Sequence, residues 1–363
     1  MDEGLAAAQA LLPAVRLSDP EPLAGGERST VARVRALAAD GAESTLIVKA
    51  FRSAGESWVR ETAALSVLPA ELGAPRLVAA DGAPPVAVMT DLGAGASLAR
   101  LLLGADPDAA AVAVRRWAEG VAAVHCATRG LRAEFRAALD ERAGDLPVHD
   151  TRIGADVEDA VRLLDAACGR LGVAVPSGAF DELRELTHRL GSAGAAAITP
   201  ADACPDDTAS VGERLVLLDY ENAQWRHVSW DVAYLRVPWP TCWCSWRLPD
   251  SVADAAVDAY RAAAAATFPE VGAESFGRDV EAATVGWSLM SATLMLGTAL
   301  DGEPAPAGRL VHAPTRRAAI THRLAGASES GELPAAAELA RRLGAELRAQ
   351  WGDVPLDLAP AFR

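Results

Sequence analysis

The chain has 363 residues, 51% of them hydrophobic, so it is long enough to bury a large core as one bilobal unit or two modest domains. Its formal net charge of −15 excludes a partner that binds through nucleic-acid phosphates, and it would favour the approach of a cationic small molecule. The five cysteines are scattered, and no basic segment precedes an apolar one at the N-terminus. We therefore expect a cytoplasmic protein without a disulfide framework.

The first ninety residues predict an antiparallel sheet with one inserted helix. Two strand-like segments flank a turn that contains Gly41, which is typical of a β-hairpin. The glycine turn before this hairpin contains Gly25 and Gly26 and could lie over phosphates. The predicted helices cover residues 5–17 and 57–68, and the predicted strands cover residues 31–37, 44–51, 75–80 and 86–89.

From Thr90 onward the pattern is mainly helical, with one interruption. Helices are predicted over residues 109–128, 155–171, 179–190, 251–268, 279–300 and 334–351. Residues 195–237 instead contain short strands and Asp-rich loops, where we expect the chemistry. Residues 282–300 carry no charge, but they lack flanking aromatic or basic groups, so we expect a buried helix and no membrane span.

Lys49 is the only lysine among the 34 basic residues of the chain. Arginine has replaced lysine everywhere else, so this position indicates a site that needs a compact ammonium on a flexible stem. Lys49 ends a strand-like segment, and Glu61 follows twelve residues later on the apolar stripe of the predicted helix. A carboxylate among apolar neighbours requires a partner, which predicts that these two side chains meet.

Three aspartates in the interrupted region form a candidate metal site. Asp202 and Asp207 lie in one loop, and an apolar strand delivers Asp219 into a turn. Convergent buried carboxylates repel one another unless cations neutralise them. Magnesium on a nucleotide polyphosphate would do so, since it prefers oxygen ligands and usually takes one or two carboxylates together with phosphate oxygens.

These residues carry a resemblance to the aminoglycoside phosphotransferase family. Its catalytic loop reads His-Gly-Asp followed five residues later by Asn, and here Pro200-Ala201-Asp202 is followed by Asp207. Its second signature, Ile-Asp-Trp-Glu with a further Asp, resembles Leu218-Asp219-Tyr220-Glu221 and Asp231. The resemblance implies a bilobal α+β protein-kinase-like fold. It has an antiparallel N-lobe over residues 1–90 and a mainly helical C-lobe over residues 91–363, which holds the catalytic loop and substrate site.

The resemblance also implies a role for each matching residue. Asp202 would be the catalytic base, Asp207 and Asp219 would hold Mg²⁺, and Asp231 would support the loop. The nucleotide, ATP or GTP, would be bound by Lys49, Glu61, Gly25, Gly26, Met89 and Asp91. The expected reaction is transfer of the γ-phosphoryl group to a hydroxyl of a small metabolite or antibiotic. Aminoglycosides, other antibiotics, sugars, choline-like alcohols and amino alcohols all stay open as acceptors.

Two departures from the family pattern keep other functions open. Pro200 stands in place of the motif histidine, and Asp207 replaces the asparagine, which adds a negative charge at the metal. A catalytically impaired pseudokinase or nucleotide-binding scaffold is therefore an alternative, and a nucleotidyl transferase on the same fold is another. His125, in the helix before the catalytic loop, is expected to be a core residue rather than a ligand.

Five of the nine tryptophans lie between residues 225 and 246. Prolines on both sides of Trp239 exclude an ordinary helix around it, so Trp239 and Trp243 are predicted to form a substrate loop, with Glu221 as a further substrate residue. The alternative is that the tryptophans pack the C-lobe. Cys242 and Cys244, with Cys204 as a third ligand, leave a zinc site as a minor possibility.

Overall fold

The N-terminal part of the chain is an antiparallel sheet flanked by two helices. A computed structural model of the protein describes residues 2–23, 28–302 and 311–363. The five strands follow the order β1-β2-β3-β5-β4 across the sheet, and every neighbouring pair is antiparallel. The elements are α1 (Asp2–Leu11), β1 (Val15–Leu23), β2 (Ser29–Ala38), β3 (Glu43–Phe51), α2 (Glu56–Val67), β4 (Leu77–Gly82) and β5 (Pro85–Thr90).

The start of the chain differs from the sequence prediction. The helix expected over residues 5–17 ends at Leu11, and its last part is the edge strand β1. Pro13 disfavours helical backbone at the residue before it. The side chain of Gln9 in α1 accepts a hydrogen bond from the Leu17 amide in β1 at 2.9 Å, which connects the helix to the strand. Strand β1 contains Pro20 and Pro22, which an edge strand tolerates because one side of it needs no hydrogen bonds.

The two faces of the sheet have different neighbours. Helix α1 packs on one face, where Ala8, Val34, Val48 and Val88 share one apolar cluster. At Gly4 an added Cβ would lie 2.5 Å from the Cβ of Ala50, so only glycine allows α1 to lie this close to β3. Helix α2 packs against β4 and β5, and it leaves room beside β3 for a cleft.

Helix α2 is also tied to the helical part of the chain by a buried arginine. The guanidinium of Arg60 donates to the carbonyl oxygens of Ala223 and His149, each at 2.9 Å. Burial without these partners would leave the charge unsatisfied, so the two contacts fix α2 against the loop that follows Asp219. The position of Glu61 on the same helix is fixed by the same contacts.

After Thr90 the described chain is mainly helical. The helices are α3 (Leu98–Leu102), α4 (Pro107–Thr128), α5 (Arg132–Ala143), α6 (Ile153–Leu171), α7 (Ala179–Arg189), α8 (Ser229–Val232), α9 (Asp250–Ala264), α10 (Pro269–Gly272), α11 (Ser275–Asp301), α12 (Arg316–Ala327) and α13 (Pro334–Trp351). All six helices predicted in this part are present, with ends that differ by a few residues. The boundary between lobes at residue 90 coincides with the end of β5 and stays our proposed division.

Two small antiparallel ladders interrupt the helices where the sequence indicated short strands. Strand β6 (Ala196–Thr199) pairs with β9 (Gln224–His227), and β7 (Thr208–Val211) pairs with β8 (Arg214–Leu217). The loop over residues 200–207 connects the two ladders. Because β7 and β8 form a hairpin, the residues just before β7 and just after β8 lie at the same end.

Helix α11 is long and apolar enough to cross a membrane by length and composition, but 67% of its most apolar 18-residue window is buried inside the protein. At Gly286 an added Cβ would lie within 3.0 Å of both Leu186 and Trp230, and the indole of Trp287 donates to the Trp230 carbonyl at 2.8 Å. This packing is that of a core helix, as the sequence predicted.

Candidate active site

The hairpin of β7 and β8 brings Asp207 and Asp219 together. Thr208 pairs with Leu217, and the Leu218 amide donates to the Asp207 carbonyl oxygen at 2.9 Å. Both aspartates line one cavity of about 250 Å³, which runs from this point to the sheet. We call this cavity the nucleotide cleft. The convergence that the sequence spacing predicted is therefore present.

Lys49 lies buried at the inner end of the nucleotide cleft among three carboxylates. Its ammonium contacts the carboxylate of Glu61, and it lies 3.2 Å from oxygens of both Asp219 and Glu221. Burial opposes the charge, but the three carboxylates outweigh that effect and raise the pKa of Lys49. Burial raises the pKa of Glu61 to about 8 even though Lys49 favours its charged form. The lysine is thus held charged beside Asp219.

The carboxylates at this end of the cleft fit a divalent cation. Burial raises the pKa of Asp207 well above its usual range, and the nearby charges of Asp219, Asp206 and Asp202 raise it further. Such mutual repulsion is relieved when a cation binds between the groups. Carboxylate oxygens are also the ligands that Mg²⁺ prefers. The donor set therefore suits the predicted metal, with Asp207 and Asp219 as its candidate ligands.

The outer part of the nucleotide cleft is apolar and is closed by the segment that follows β5. Val31, Ile47, Met89 and Leu218 line it. Asp91 also lines it, but its carboxylate is already paired with the guanidinium of Arg33 at 2.6 Å and accepts from the Gly93 amide at 2.9 Å. The side chain of Asp91 therefore shapes the connection between the lobes. The predicted phosphate-binding residues Gly25 and Gly26 lie outside the described residues.

Asp202 is half-buried at the end of the catalytic loop and accepts several hydrogen bonds. Thr241 donates to its Oδ1 at 2.6 Å, the Cys204 thiol donates to the same oxygen at 2.9 Å, and Asn222 donates to Oδ2 at 3.4 Å. Burial raises the pKa of Asp202, although the donors from Cys204 and Thr241 oppose that effect. The preceding residue, Ala201, has φ +60°, a left-handed conformation that glycine adopts at no steric cost.

A buried charge network lies behind the catalytic loop. Asp231 contacts the guanidinium of Arg226 and lies 3.1 Å from Nε2 of His125, whose Nδ1 lies 2.9 Å from the Tyr260 hydroxyl. Burial opposes the charge of Asp231, but Arg226 and His125 outweigh it and lower its pKa. Arg226 in turn donates to Thr199 in β6, directly before the loop, at 2.9 Å. These contacts support the loop from the side of the buried core, and His125 is a core residue.

A second cavity, of about 440 Å³, opens on the other side of Asp202. We call it the acceptor cavity. Ala201, Asp202, Asn222 and Thr241 line its polar side. Its opposite wall is formed by α6 and α11, with Ala160 and Leu163 from the first helix and Trp287, Met290 and Leu294 from the second. Asp202 therefore lines the acceptor cavity, whereas Asp207 and Asp219 line the nucleotide cleft.

The predicted substrate residues do not line the acceptor cavity. Trp239 is completely buried, has φ +42° and packs edge-on against Trp117 with ring centroids 6.1 Å apart. Trp243 is half-buried, and its indole donates to Asp206 at 2.6 Å. Glu221 is paired with Lys49 and Arg28. The structure places these side chains in packing within the C-lobe and in ion pairs, so their role in holding the acceptor stays a prediction.

Sequence reasoning missed the residues that do face the acceptor cavity. Thr241 belongs to the segment that was predicted to be a substrate loop, but it was overlooked beside the tryptophans. Trp287 and Leu294 lie in the uncharged helix that was interpreted as core. No sequence signal distinguishes an apolar residue on a cavity wall from one inside a core, since both follow the same helical period.

The cysteines near the catalytic loop form a hydrogen-bonded cluster. Ligand atoms of Cys204, Cys242 and Asp206 lie within 4.8 Å of one another. The thiol of Cys204 donates to Asp202, and that of Cys242 donates to Asp206 at 3.3 Å. Two of the three cysteines predicted as zinc ligands, Cys204 and Cys242, are thus close, with Asp206 in place of Cys244, and both thiols donate hydrogen bonds to carboxylates. We therefore assign this cluster to the support of the loop.

Comparison with solved structures identifies the class of fold. The chain is similar to a choline/ethanolamine kinase family protein from Mesorhizobium loti, with a TM-score of 0.53 and 18% identity over 94% of this chain and 98% of that one. It is also similar to an ethanolamine kinase from Plasmodium vivax, with a TM-score of 0.53 and 10% identity over 82% of this chain and 81% of that one. Comparisons with protein-family models and with curated protein sequences give no match.

At these identities the similarity shows the fold. The chain has the bilobal α+β fold of the protein-kinase-like small-molecule kinases. This is the fold of the aminoglycoside phosphotransferase group, so the fold predicted from the sequence and the resemblance to that group are confirmed. What the site does follows from its own residues.

Proposed function

We propose that the chain is a small-molecule kinase that transfers the γ-phosphoryl group of ATP or GTP to a hydroxyl group of a small acceptor. The observation that supports this most strongly is the position of Asp202 on the acceptor cavity, while Asp207 and Asp219 lie in the neighbouring nucleotide cleft. A phosphoryl transfer needs a donor and an acceptor site that meet at the reacting groups.

Each part of the nucleotide cleft has a role in this proposal. The apolar outer part beside Met89 suits a nucleobase, and the ammonium of Lys49 suits the phosphates. Mg²⁺ held by Asp219 and Asp207 would neutralise the negative charge of the polyphosphate. Lys49 is already charged and oriented by Glu61, so it requires little reorganisation when phosphates enter.

Asp202 has the position and the environment of the proton acceptor. Asp202 lines a cavity large enough for an alcohol, and the Thr241 and Asn222 donors fix the orientation of its carboxylate. A carboxylate that orients the attacking hydroxyl and accepts its proton supplies the one step of proton transfer that the reaction requires. Asp231 acts behind the loop and does not touch either substrate.

The departures from the family pattern define the competing proposals. Pro200 cannot supply the hydrogen bonds of the motif histidine, but Tyr234 donates to the Ala201 carbonyl at 3.0 Å and supports the loop from another direction. A pseudokinase would bind Mg-nucleotide without transfer. A nucleotidyl transferase would release pyrophosphate. Because Lys49, Asp202 and Asp219 all occupy suitable positions, we favour the kinase.

The direct test is a screen of hydroxylated metabolites and antibiotics with ATP or GTP and Mg²⁺, read by mass spectrometry for addition of one phosphoryl group. Asp202→Asn is the matched control, because it keeps the size of the side chain and one acceptor oxygen for Thr241 but removes the base. We expect a phosphorylated acceptor with the wild type and none with the variant. Nucleotide binding without a product across the screen would favour the pseudokinase, and pyrophosphate release would favour the nucleotidyl transferase.

A further inference from the structure

The acceptor cavity is divided into a polar side and an apolar side. Asn222, Gln224 and Thr241 supply polar groups around Asp202, and α11 supplies mainly hydrocarbon. Helix α6 contributes Ala160 and Leu163 to the apolar side, together with the aspartates Asp156 and Asp159. On α11 the hydroxyl of Thr293 is turned into its own helix, where it donates to the Met290 carbonyl at 2.6 Å. That wall therefore offers a ligand apolar contact through Trp287, Met290 and Leu294 without a competing hydrogen-bond donor.

The apolar wall continues to the solvent. Leu294 is 66% exposed and Leu163 is 39% exposed, and both are among the few large hydrophobic side chains that the described residues expose. Both line the acceptor cavity, one on each helix. Scattered exposed leucines need no explanation, but two that line the same cavity form a surface that a ligand could cover.

The charged groups of the cavity are already neutralised. Three arginines and three aspartates line it, and every arginine is paired: Arg28 with Glu221 at 2.5 Å, Arg152 with Glu56 at 2.8 Å and Asp156 at 3.3 Å, and Arg226 with Asp231. Asp159, the remaining aspartate apart from Asp202, pairs with Arg162 at 2.9 Å.

The indole ring of Trp287 on this wall already contacts a cation. The guanidinium of Arg226 lies over the ring of Trp287, 5.5 Å from its centroid. A bound ammonium ligand is usually held by a free carboxylate or an open aromatic face. In the described part of the cavity the carboxylates other than Asp202 have arginine partners, and this indole already has a cation. The cavity is therefore poorly suited to a cationic acceptor, in contrast to the expectation from net charge.

We propose that the acceptor is a neutral amphipathic alcohol, which places its hydroxyl at Asp202 and an apolar portion along α6 and α11. This inference rests on the proposed function in one respect, since it takes Asp202 as the point of phosphorylation. The class differs from the small cationic alcohols, because affinity would come from burial of hydrocarbon against Leu163, Met290 and Leu294 rather than from ion pairing.

A series of n-alkyl β-glucosides with increasing chain length tests the proposal, used below their critical micelle concentrations, with choline and ethanolamine as cationic comparators. Binding is measured by calorimetry in the presence of a non-hydrolysable ATP analogue and Mg²⁺. Burial of each methylene contributes about 0.8 kcal/mol, so affinity should rise roughly fourfold per carbon until the wall is covered. The cationic alcohols should bind more weakly than the longer glucosides.

Two variants locate the effect. Leu294→Asn and Leu163→Asn should each flatten the dependence on chain length, because they place an amide on the apolar wall without disturbing the core. Leu146→Asn is the matched control, since Leu146 is 41% exposed and does not line the cavity. This control should bind the series as the wild type does.

Affinity that is independent of chain length, tighter binding of choline or ethanolamine than of the longer glucosides, or equal effects of all three variants would overturn the inference. Failure of the proposed function has a different signature. Chain-length-dependent binding without phosphoryl transfer supports the amphipathic cavity and contradicts the kinase. Transfer to short polar alcohols with no dependence on chain length supports the kinase and contradicts the amphipathic acceptor.

Discussion

The nucleotide cleft and the acceptor cavity differ in how their ligands would be recognised. The nucleotide cleft depends on charges held at fixed positions, with Lys49 surrounded by carboxylates and Asp207 close to Asp219. The acceptor cavity depends on shape and on hydrocarbon from α6 and α11, and its charges are paired internally. Under the proposed function, a few polar residues would bind the nucleotide and the metal. The acceptor would be selected by many side chains on helix surfaces, and these can change without loss of the reaction.

The largest expected effect is on the rate of transfer, and it distinguishes the role of Asp202 from that of Asp219. Asp202→Asn should lower the rate of transfer by about 10²- to 10⁴-fold, the usual contribution of a general base, while nucleotide affinity stays unchanged. Asp219→Asn should instead weaken Mg-dependent nucleotide binding, because it removes a metal ligand. Calorimetric titration with nucleotide, with and without Mg²⁺, distinguishes the two variants.

The matched control for this pair is Asp159→Asn, which changes an aspartate of the acceptor cavity that is paired with Arg162 on the surface. It should leave nucleotide affinity unchanged. If Asp202→Asn and Asp219→Asn lost nucleotide binding to the same degree, the two cavities would not have separate functions.

The sequence predicted the nucleotide cleft better than the acceptor cavity for a physical reason. Lys49 and the loop aspartates are costly to bury, so their presence at particular spacings carries information about partners. Met290 and Leu294 carry none, because an apolar residue satisfies a helical pattern whether it faces a core or a cavity. The strand β1 was also missed. Its prolines are tolerated because β1 lies at the edge of the sheet, and that position is known only from the folded structure.

The second prediction concerns the tryptophans that the sequence placed at the acceptor. Because Trp239 is completely buried against Trp117, Trp239→Ala should lower the free energy of unfolding by about 3–5 kcal/mol. Trp243→Phe should have a smaller effect, since it keeps an aromatic ring and loses one hydrogen bond to Asp206. Urea unfolding measures both values. A stable Trp239→Ala variant with weakened acceptor binding would show instead that Trp239 contributes to binding of the acceptor.

The third prediction addresses the pH dependence of the base. Burial raises the pKa of Asp202 and the Thr241 hydroxyl opposes that effect, so Thr241→Val should raise this pKa further. A base acts as its carboxylate, so the acid limb of the transfer rate should move to higher pH, while rates well above both pKa values change little. Thr241→Ser keeps the donor and should restore the wild-type profile. Superimposable acid limbs in Thr241→Val and wild type would show that Thr241 does not act on Asp202.

The smallest expected effect lies in the loop at the acceptor cavity, where Ala201 precedes Asp202 with φ +60°. A left-handed conformation costs an alanine about 1–2 kcal/mol, and glycine loses about 0.5–1 kcal/mol more than alanine in chain entropy, so Ala201→Gly should stabilise the protein by up to about 1 kcal/mol.

Ala203→Gly is the control: Ala203 is buried in the same loop without a positive φ, so the exchange should destabilise by a similar amount. Chemical denaturation of the two variants compares them directly. Opposite signs would show that the loop holds Ala201 in a strained conformation to aim Asp202 at the acceptor. Equal destabilisation would mean that the strain is absent and that hydrogen bonds from Thr241 and Asn222 alone orient the base.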